Sequence, residues 1–294
     1  MASWPPTKVI SKRFTTNKSA REGINLDIIT IMAIISLFAV ALVFSPLGLG
    51  GGVLYVPIFY YMLDWEMKEA VIGSLTLVFM VSIGSSLAHS KAGYADNDTA
   101  NLGRTTAIPA AIIGTILSGY LIDILGDIII KILATLILIF VIERTIKQMR
   151  SSVNESYKEI QLSDKKREYM LGSAFAGLSS GMLGIGGRAI LVTANRSILQ
   201  MDTNKAAGTS FLVAATIVPV ALTSHIILDG VVGGMIDNVG LLTIIIFPLF
   251  VLSSAFLGAK YAIKNIPKNI VTAVFLIAIS LSLIRYLIDF VLLY

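Results

Sequence analysis

The chain has 294 residues, of which 55% are hydrophobic and 14% charged, and its mean hydropathy is +0.83. A soluble domain carries about 25% charged residues, so the composition excludes a water-soluble globular protein and implies an all-α integral membrane one. The net charge of +5 comes without the basic–aromatic stripe of a nucleic-acid binder, and the lack of cysteine excludes disulfides, thiolate catalysis and zinc–thiolate sites.

Residues 1–25 form a polar N-terminal tail holding Lys8, Lys12, Arg13, Lys18 and Arg21. The apolar run behind it is too long, and lacks the small-residue cleavage site, for a simple signal peptide. A first helix is expected over 26–47, ending at Ser45-Pro46, where proline removes a backbone donor. The glycine cluster Gly48-Leu49-Gly50-Gly51-Gly52 follows. Residues 53–63 are too few to span a bilayer at about 1.5 Å per residue and read as a half-helix reaching the midplane. Helices are expected over 70–90, 105–123 and 128–147, the first rich in the small residues that permit close helix packing. This first transmembrane repeat covers 26–147.

Residues 148–168 form a charged linker whose lysines and arginines mark it as cytoplasmic. The second repeat, 169–294, restates the order. A Gly/Ser-rich helix over 169–183 meets the cluster Gly184-Ile185-Gly186-Gly187-Arg188, then a half-helix over 189–200 and helices over 206–228, 239–259 and 269–293. An offset of 136 places Gly48 on Gly184, Gly50 on Gly186, Gly51 on Gly187, Ser74 on Ser210 and His89 on His225, the only two histidines. With an offset of 139, Pro109 falls on Pro248 and Gly119 on Gly258. About 8–10 membrane segments are expected, each half carrying a Gly-broken helix or re-entrant hairpin.

Charge sets the expected orientation. The loops 123–127 and 229–237 contain no lysine or arginine and read as external, whereas the linker and Lys260, Lys264 and Lys268 read as internal. An odd number of crossings per half fits these loops and makes the repeats inverted. It also places both termini outside, against the basic tail.

The doubled order of glycine break, Ala-x-x-x-Ser helix (Ala70 to Ser74, Ala206 to Ser210) and histidine (His89, His225) resembles the TauE/SafE family of membrane permeases. Val56-Pro57 and Gly93 in the first copy, and Gly230 in the second, belong to the same pattern. The resemblance covers about residues 26–290. It implies export or uptake of sulfite, sulfonates or related sulfur-containing anions. Three positions depart from the doubled pattern: Arg188 stands at the third-glycine equivalent, Thr193 where Pro57 would recur, and Gly73 in the place of Thr209.

The candidate substrate-binding residues are Gly48, Gly50, Gly51, Gly52, Gly184, Gly186, Gly187, Arg188, Ser74, Thr209 and Ser210. Half-helix N-termini offer free N–H groups and about half a positive charge, and the hydroxyls could add donors. The alternative for glycines and serines alike is close helix packing. Arg188 follows the second break at a depth where charge is costly, and its planar fork suits an oxyanion. The alternatives are snorkelling to the interface and pairing with a carboxylate. His89 and His225 are candidates for proton coupling, or for structural hydrogen bonding near the helix ends. Lys91 and Lys205 read as boundary residues, and Asn195 and Arg196 as candidates for a vestibule.

No metal site, cofactor or nucleotide loop is expected: the glycine clusters lack the Gly-Lys-Ser/Thr ending, and no metal-ligand spacing accompanies the histidines. No catalytic constellation is evident, so an enzyme is not expected. The expected function is a secondary transporter of a small sulfur-containing anion, working by alternating access in a cell membrane. The expected partners are the anion and the lipid bilayer, a homo-oligomer is admitted, and nucleic acid is not expected. The alternatives are a non-transporting membrane sensor or scaffold, and a permease for a different small anion or metabolite.

Overall fold

A computed structural model describes residues 28–47, 51–151 and 159–292. The N-terminal tail, Gly48 and Gly50 of the first cluster, and residues 152–158 of the linker lie outside the described residues. The described chain is all-helical: α1 (Ile28–Phe44), α2 (Gly52–Pro57), α3 (Met67–Lys91), α4 (Asn97–Leu125), α5 (Asp127–Ser151), α6 (Lys166–Leu183), α7 (Arg188–Ser197), α8 (Thr203–Asp229), α9 (Val232–Val239), α10 (Leu241–Asn265) and α11 (Lys268–Leu292). A 3₁₀ turn (Ser45–Leu47) closes α1, and a π-turn (Ile58–Met62) continues α2. Among the described residues, α3, α4, α8, α10 and α11 each contain a segment long and apolar enough to cross a membrane.

Two elements differ from the sequence expectation. Helix α4 starts at Asn97 rather than 105, because Asp96 caps it by accepting the Thr99 amide at 3.0 Å. Arg104 is tolerated inside that helix because it donates to the Thr216 hydroxyl and the Leu212 carbonyl of α8, at 3.2 and 2.8 Å. The region expected to be an external loop after 229 contains α9, whose Val232, Met235, Ile236 and Val239 repeat at helical spacing. In the first half-helix the coil widens to a π-turn directly after Pro57, whose missing N–H interrupts the ladder.

Helix α3 lies at the centre, with 67% of its apolar stretch buried, against 22% for α4 and for α11. The outer helices present rows of isoleucine and leucine outward, such as Ile113, Ile116 and Ile124 on α4 and Ile277, Leu281 and Ile284 on α11. Such continuous apolar exposure suits lipid rather than water. Packing in one half has its counterpart in the other. Helix α1 packs on α10 as α6 packs on α4, α2 lies on α3 as α7 lies on α8, and α3–α8 and α5–α11 pair directly. Close approach carries the α6–α4 and α1–α10 contacts: a Cβ on Gly114 would overlap the Leu178 carbonyl, and one on Gly258 the Leu42 carbonyl. In packing, then, Gly258 of α10 matches Gly114 of α4. Gly119, its partner by sequence offset, instead lies beside the Asp229 carboxylate.

Candidate functional site

The two glycine breaks meet. Helix α6 ends at Gly184, whose left-handed backbone (φ 68°) returns its N–H to the Ser180 carbonyl. Gly187, also left-handed (φ 64°), starts α7 against the Ala176 carbonyl, where no side chain would fit. On the other side, Gly52 begins α2 with its Cα against the Ile185 carbonyl, so backbone touches backbone between the halves. The Ser74 hydroxyl stitches the junction by donating to the Gly184 carbonyl at 2.7 Å. Gly51 lies against Val40 as Gly187 lies against Ala176, and both pairs share the 136-residue offset.

Arg188 stands in the first turn of α7, fully buried, with its guanidinium carbon 5.0 Å from the centre of the Phe211 ring. Cation–π attraction is worth about 2 kcal/mol when desolvated, far below what a buried unpaired charge costs. None of its three guanidinium nitrogens has a hydrogen-bond partner among the described residues. Tyr55, buried on α2, interacts electrostatically with Arg188, and its hydroxyl is likewise unpartnered. The other face of the same group of residues is His89, whose ring centre is 5.2 Å from that of Phe211. Its Nδ1 lies 2.9 Å from the Ser85 carbonyl, and the Pro46 backbone faces the ring. Two buried donor groups, one of them cationic, thus lie in the same region, and among the described residues no carboxylate bonds to them.

The remaining sequence candidates divide. Gly51, Gly52, Gly184, Gly186, Gly187 and Ser74 form the junction itself. Gly186 lies against Val78 of α3. Thr209 and Ser210 are buried on α8, where the Thr209 hydroxyl accepts the Asp96 amide at 3.2 Å and Ser210 donates to Ala207 at 2.7 Å. His225 does not join Arg188: its ring bonds Asp229 and the Gly181 carbonyl. Asn195 is buried and ties α7 to the Ala206 carbonyl at 2.9 Å. Lys205 pairs with Asp96 and Glu159 at the start of α8.

Sequence reasoning passed over Tyr55, Phe211, Asp229 and an ionic network around α5 and α11. Lys131 meets Asp289 at 2.6 Å, Arg285 meets the same carboxylate at 2.8 Å, and Tyr61 donates to it at 2.9 Å. Arg285 also covers the Tyr61 ring at 4.1 Å, and Tyr60 donates to Asp127 at 3.3 Å. The network therefore anchors the far end of the first half-helix. A usable signal existed for two of these residues: Tyr55 lies one turn into the half-helix, and Asp229 is at i+4 from His225.

An all-helical, multi-pass membrane protein with a buried cation beside two abutting helix breaks has the architecture of a membrane transporter. The chain belongs to the sulfite exporter TauE/SafE family, matched over residues 32–286. It is similar to a probable membrane transporter protein of Methanocaldococcus jannaschii, 28% identical over 246 residues that cover 79% of this chain and 86% of the relative. No solved structure matches the chain.

Proposed function

We propose that the chain is a secondary transporter of a small sulfur-containing anion, sulfite or an organosulfonate, which binds at Arg188 between the two breaks and crosses by alternating access in the cell membrane. The observation that carries this reading is the fully buried guanidinium, without an acceptor among the described residues. A guanidinium in that setting is stabilised when an oxyanion brings the missing acceptors, and its fork matches two oxygens at once. The neighbouring Tyr55 hydroxyl offers a further donor. The α7 N-terminus, at which Arg188 sits, adds its own positive potential.

Alternating access rests on the two halves being inverted copies. Support comes from α3 and α8, which the 136-residue offset makes equivalent. They run antiparallel: Gly208 near the start of α8 meets His89 near the end of α3, and Gly186 touches Val78 and Val218 further along. Equivalent helices that pair antiparallel are related by an axis in the membrane plane, the arrangement of inverted repeats.

Counterflow in proteoliposomes tests the function. Radiolabelled sulfite should enter vesicles preloaded with sulfite faster than empty ones, and Arg188→Gln should abolish that difference. Absence of counterflow with sulfite, taurine and sulfoacetate alike would overturn the reading.

A further inference from the structure

The hydrogen bonds of His225 fix a proton count. Its Nδ1 lies 2.7 Å from Asp229 Oδ2, and its Nε2 lies 2.6 Å from the Gly181 carbonyl oxygen. A carbonyl only accepts, so Nε2 carries a hydrogen. The bond to Asp229 needs a hydrogen as well, on Nδ1 or on the carboxyl. Two bonds therefore hold two protons, one more than a neutral histidine beside an ionised carboxylate would have. With that proton the pair is neutral overall. Without it, a net negative charge is left on side chains only 2% and 4% exposed.

We propose that the His225–Asp229 pair is a proton-binding site that couples transport to a proton gradient. This rests on the transporter reading above. The protonated pair ties α8 to Gly181, in the last turn of α6 before the break that leads to Arg188. Loss of the proton to solvent leaves one ring hydrogen, which the ionised Asp229 holds on Nδ1, so Nε2 loses its bond to Gly181 and a charge is left that water must reach. Proton release therefore accompanies separation of α8 from the end of α6. The proton and the anion thus bias one element, the second break, from its two sides.

The charged groups at this end of the packed helices are engaged elsewhere or face outward. Asp123 of α4 pairs with Lys68 of α3 at 2.7 Å, Glu69 of α3 accepts the Glu66 amide at 3.2 Å, and Asp237 of α9 is exposed. Helix α4 offers Gly119 beside the carboxylate, and α6 offers the Gly181 carbonyl and, from Tyr169 onward, no charged residue. The first half lacks such a pair. His89 bonds Ser85 on its own helix, and Gly93 stands 136 residues before Asp229.

Sulfite flux in proteoliposomes, measured as counterflow at equal pH and as uptake with and without an imposed pH gradient, tests the proposal. The wild type should show counterflow and a gradient-stimulated flux. Asp229→Asn supplies an amide that can donate to Nδ1 while Nε2–H keeps Gly181, so it copies the protonated pair without titrating. In that variant and in His225→Gln, the stimulation should vanish. Stimulation that persists in Asp229→Asn, or a wild type with counterflow but no stimulation, would overturn the proton site. A wild type without counterflow would instead sink the transporter reading. Nitrogen-labelled histidine spectra of the full chain in nanodiscs decide the proton count independently, with His225→Gln assigning the signal. Nε2 should be protonated at neutral pH, and a bare Nε2 would overturn the proposal.

Discussion

The two breaks touch, Gly52 against the Ile185 carbonyl, and differ in what they carry. The first has Gly52 where the second has Arg188, and its half is tied at the far end by Tyr60 and Tyr61 to the ionic network of α5 and α11. The second carries Arg188 at the break and Asp229 beside His225, and both charges stand at positions where the 136-residue offset puts glycine in the first half. On the proposed reading, two interrupted helices meet and the chemistry falls to the second. The first break contributes shape and a tyrosine, and the second contributes charge.

The largest effect should come from the charged copy. Arg188→Gln should weaken sulfite binding by at least about tenfold, since charge-assisted hydrogen bonds contribute about 1.5–3 kcal/mol. Arg188→Lys, which keeps charge without the fork, should fall between the two. Arg188→Met should at the same time raise the melting temperature of the substrate-free protein, because an unpaired buried charge is replaced by an apolar chain. A melting temperature that drops would mean the guanidinium is satisfied by the fold itself, and the contrast between the breaks would collapse.

Asp289→Asn tests whether the anchoring network belongs to the first break. Lys131, with its side chain 9% exposed, loses its carboxylate, and the expected cost is about 3 kcal/mol in thermal unfolding. Gly52→Ala should cost about 2 kcal/mol, because its Cβ would overlap the Ile185 carbonyl and push the halves apart. Gly93→Ala, left-handed at φ 78° but with open space around it, should cost about 1 kcal/mol, and the ordering of the two substitutions in one melting series checks the close approach.

The smallest effect is a pH dependence outside the spans. Partial burial raises the Asp96 pKa, but the Thr99 amide and the Lys205 ammonium outweigh it and hold the carboxyl below its ordinary range. A carboxyl whose pKa is lower folded than unfolded stabilises fully above the unfolded value, and that contribution fades as pH falls through the folded one. The melting difference between the wild type and Asp96→Asn should therefore be constant near neutrality and shrink in acid. Asp96 is a surface group, so the shift should be small.

Much of this was legible in the sequence, because lipid imposes long apolar runs and glycine or proline marks where they break. The membrane class follows from that, as do the interruption between α6 and α7 at Gly184–Gly187 and the burial of Arg188. What the one-dimensional pattern missed depends on contacts between elements far apart in the chain. Nothing near Arg104 announces that α8 will satisfy it and let α4 start early. Lys131 and Asp289 look like isolated charges until α5 meets α11. The packing of Gly258 opposite Leu42 depends on where α10 crosses α1, which a residue offset does not encode. Tyr55 reads as one more aromatic in an apolar run until the fold buries its hydroxyl in the same region as Arg188.

The contact of Gly52 with the Ile185 carbonyl has a kinetic meaning. Backbone against backbone leaves no width for an ion to pass between Gly52 and Ile185. Flux must then wait for the breaks to move, and collective helix motions take microseconds to milliseconds. The protein should behave as a saturable carrier, with turnover bounded by that motion and no unitary currents in planar bilayers.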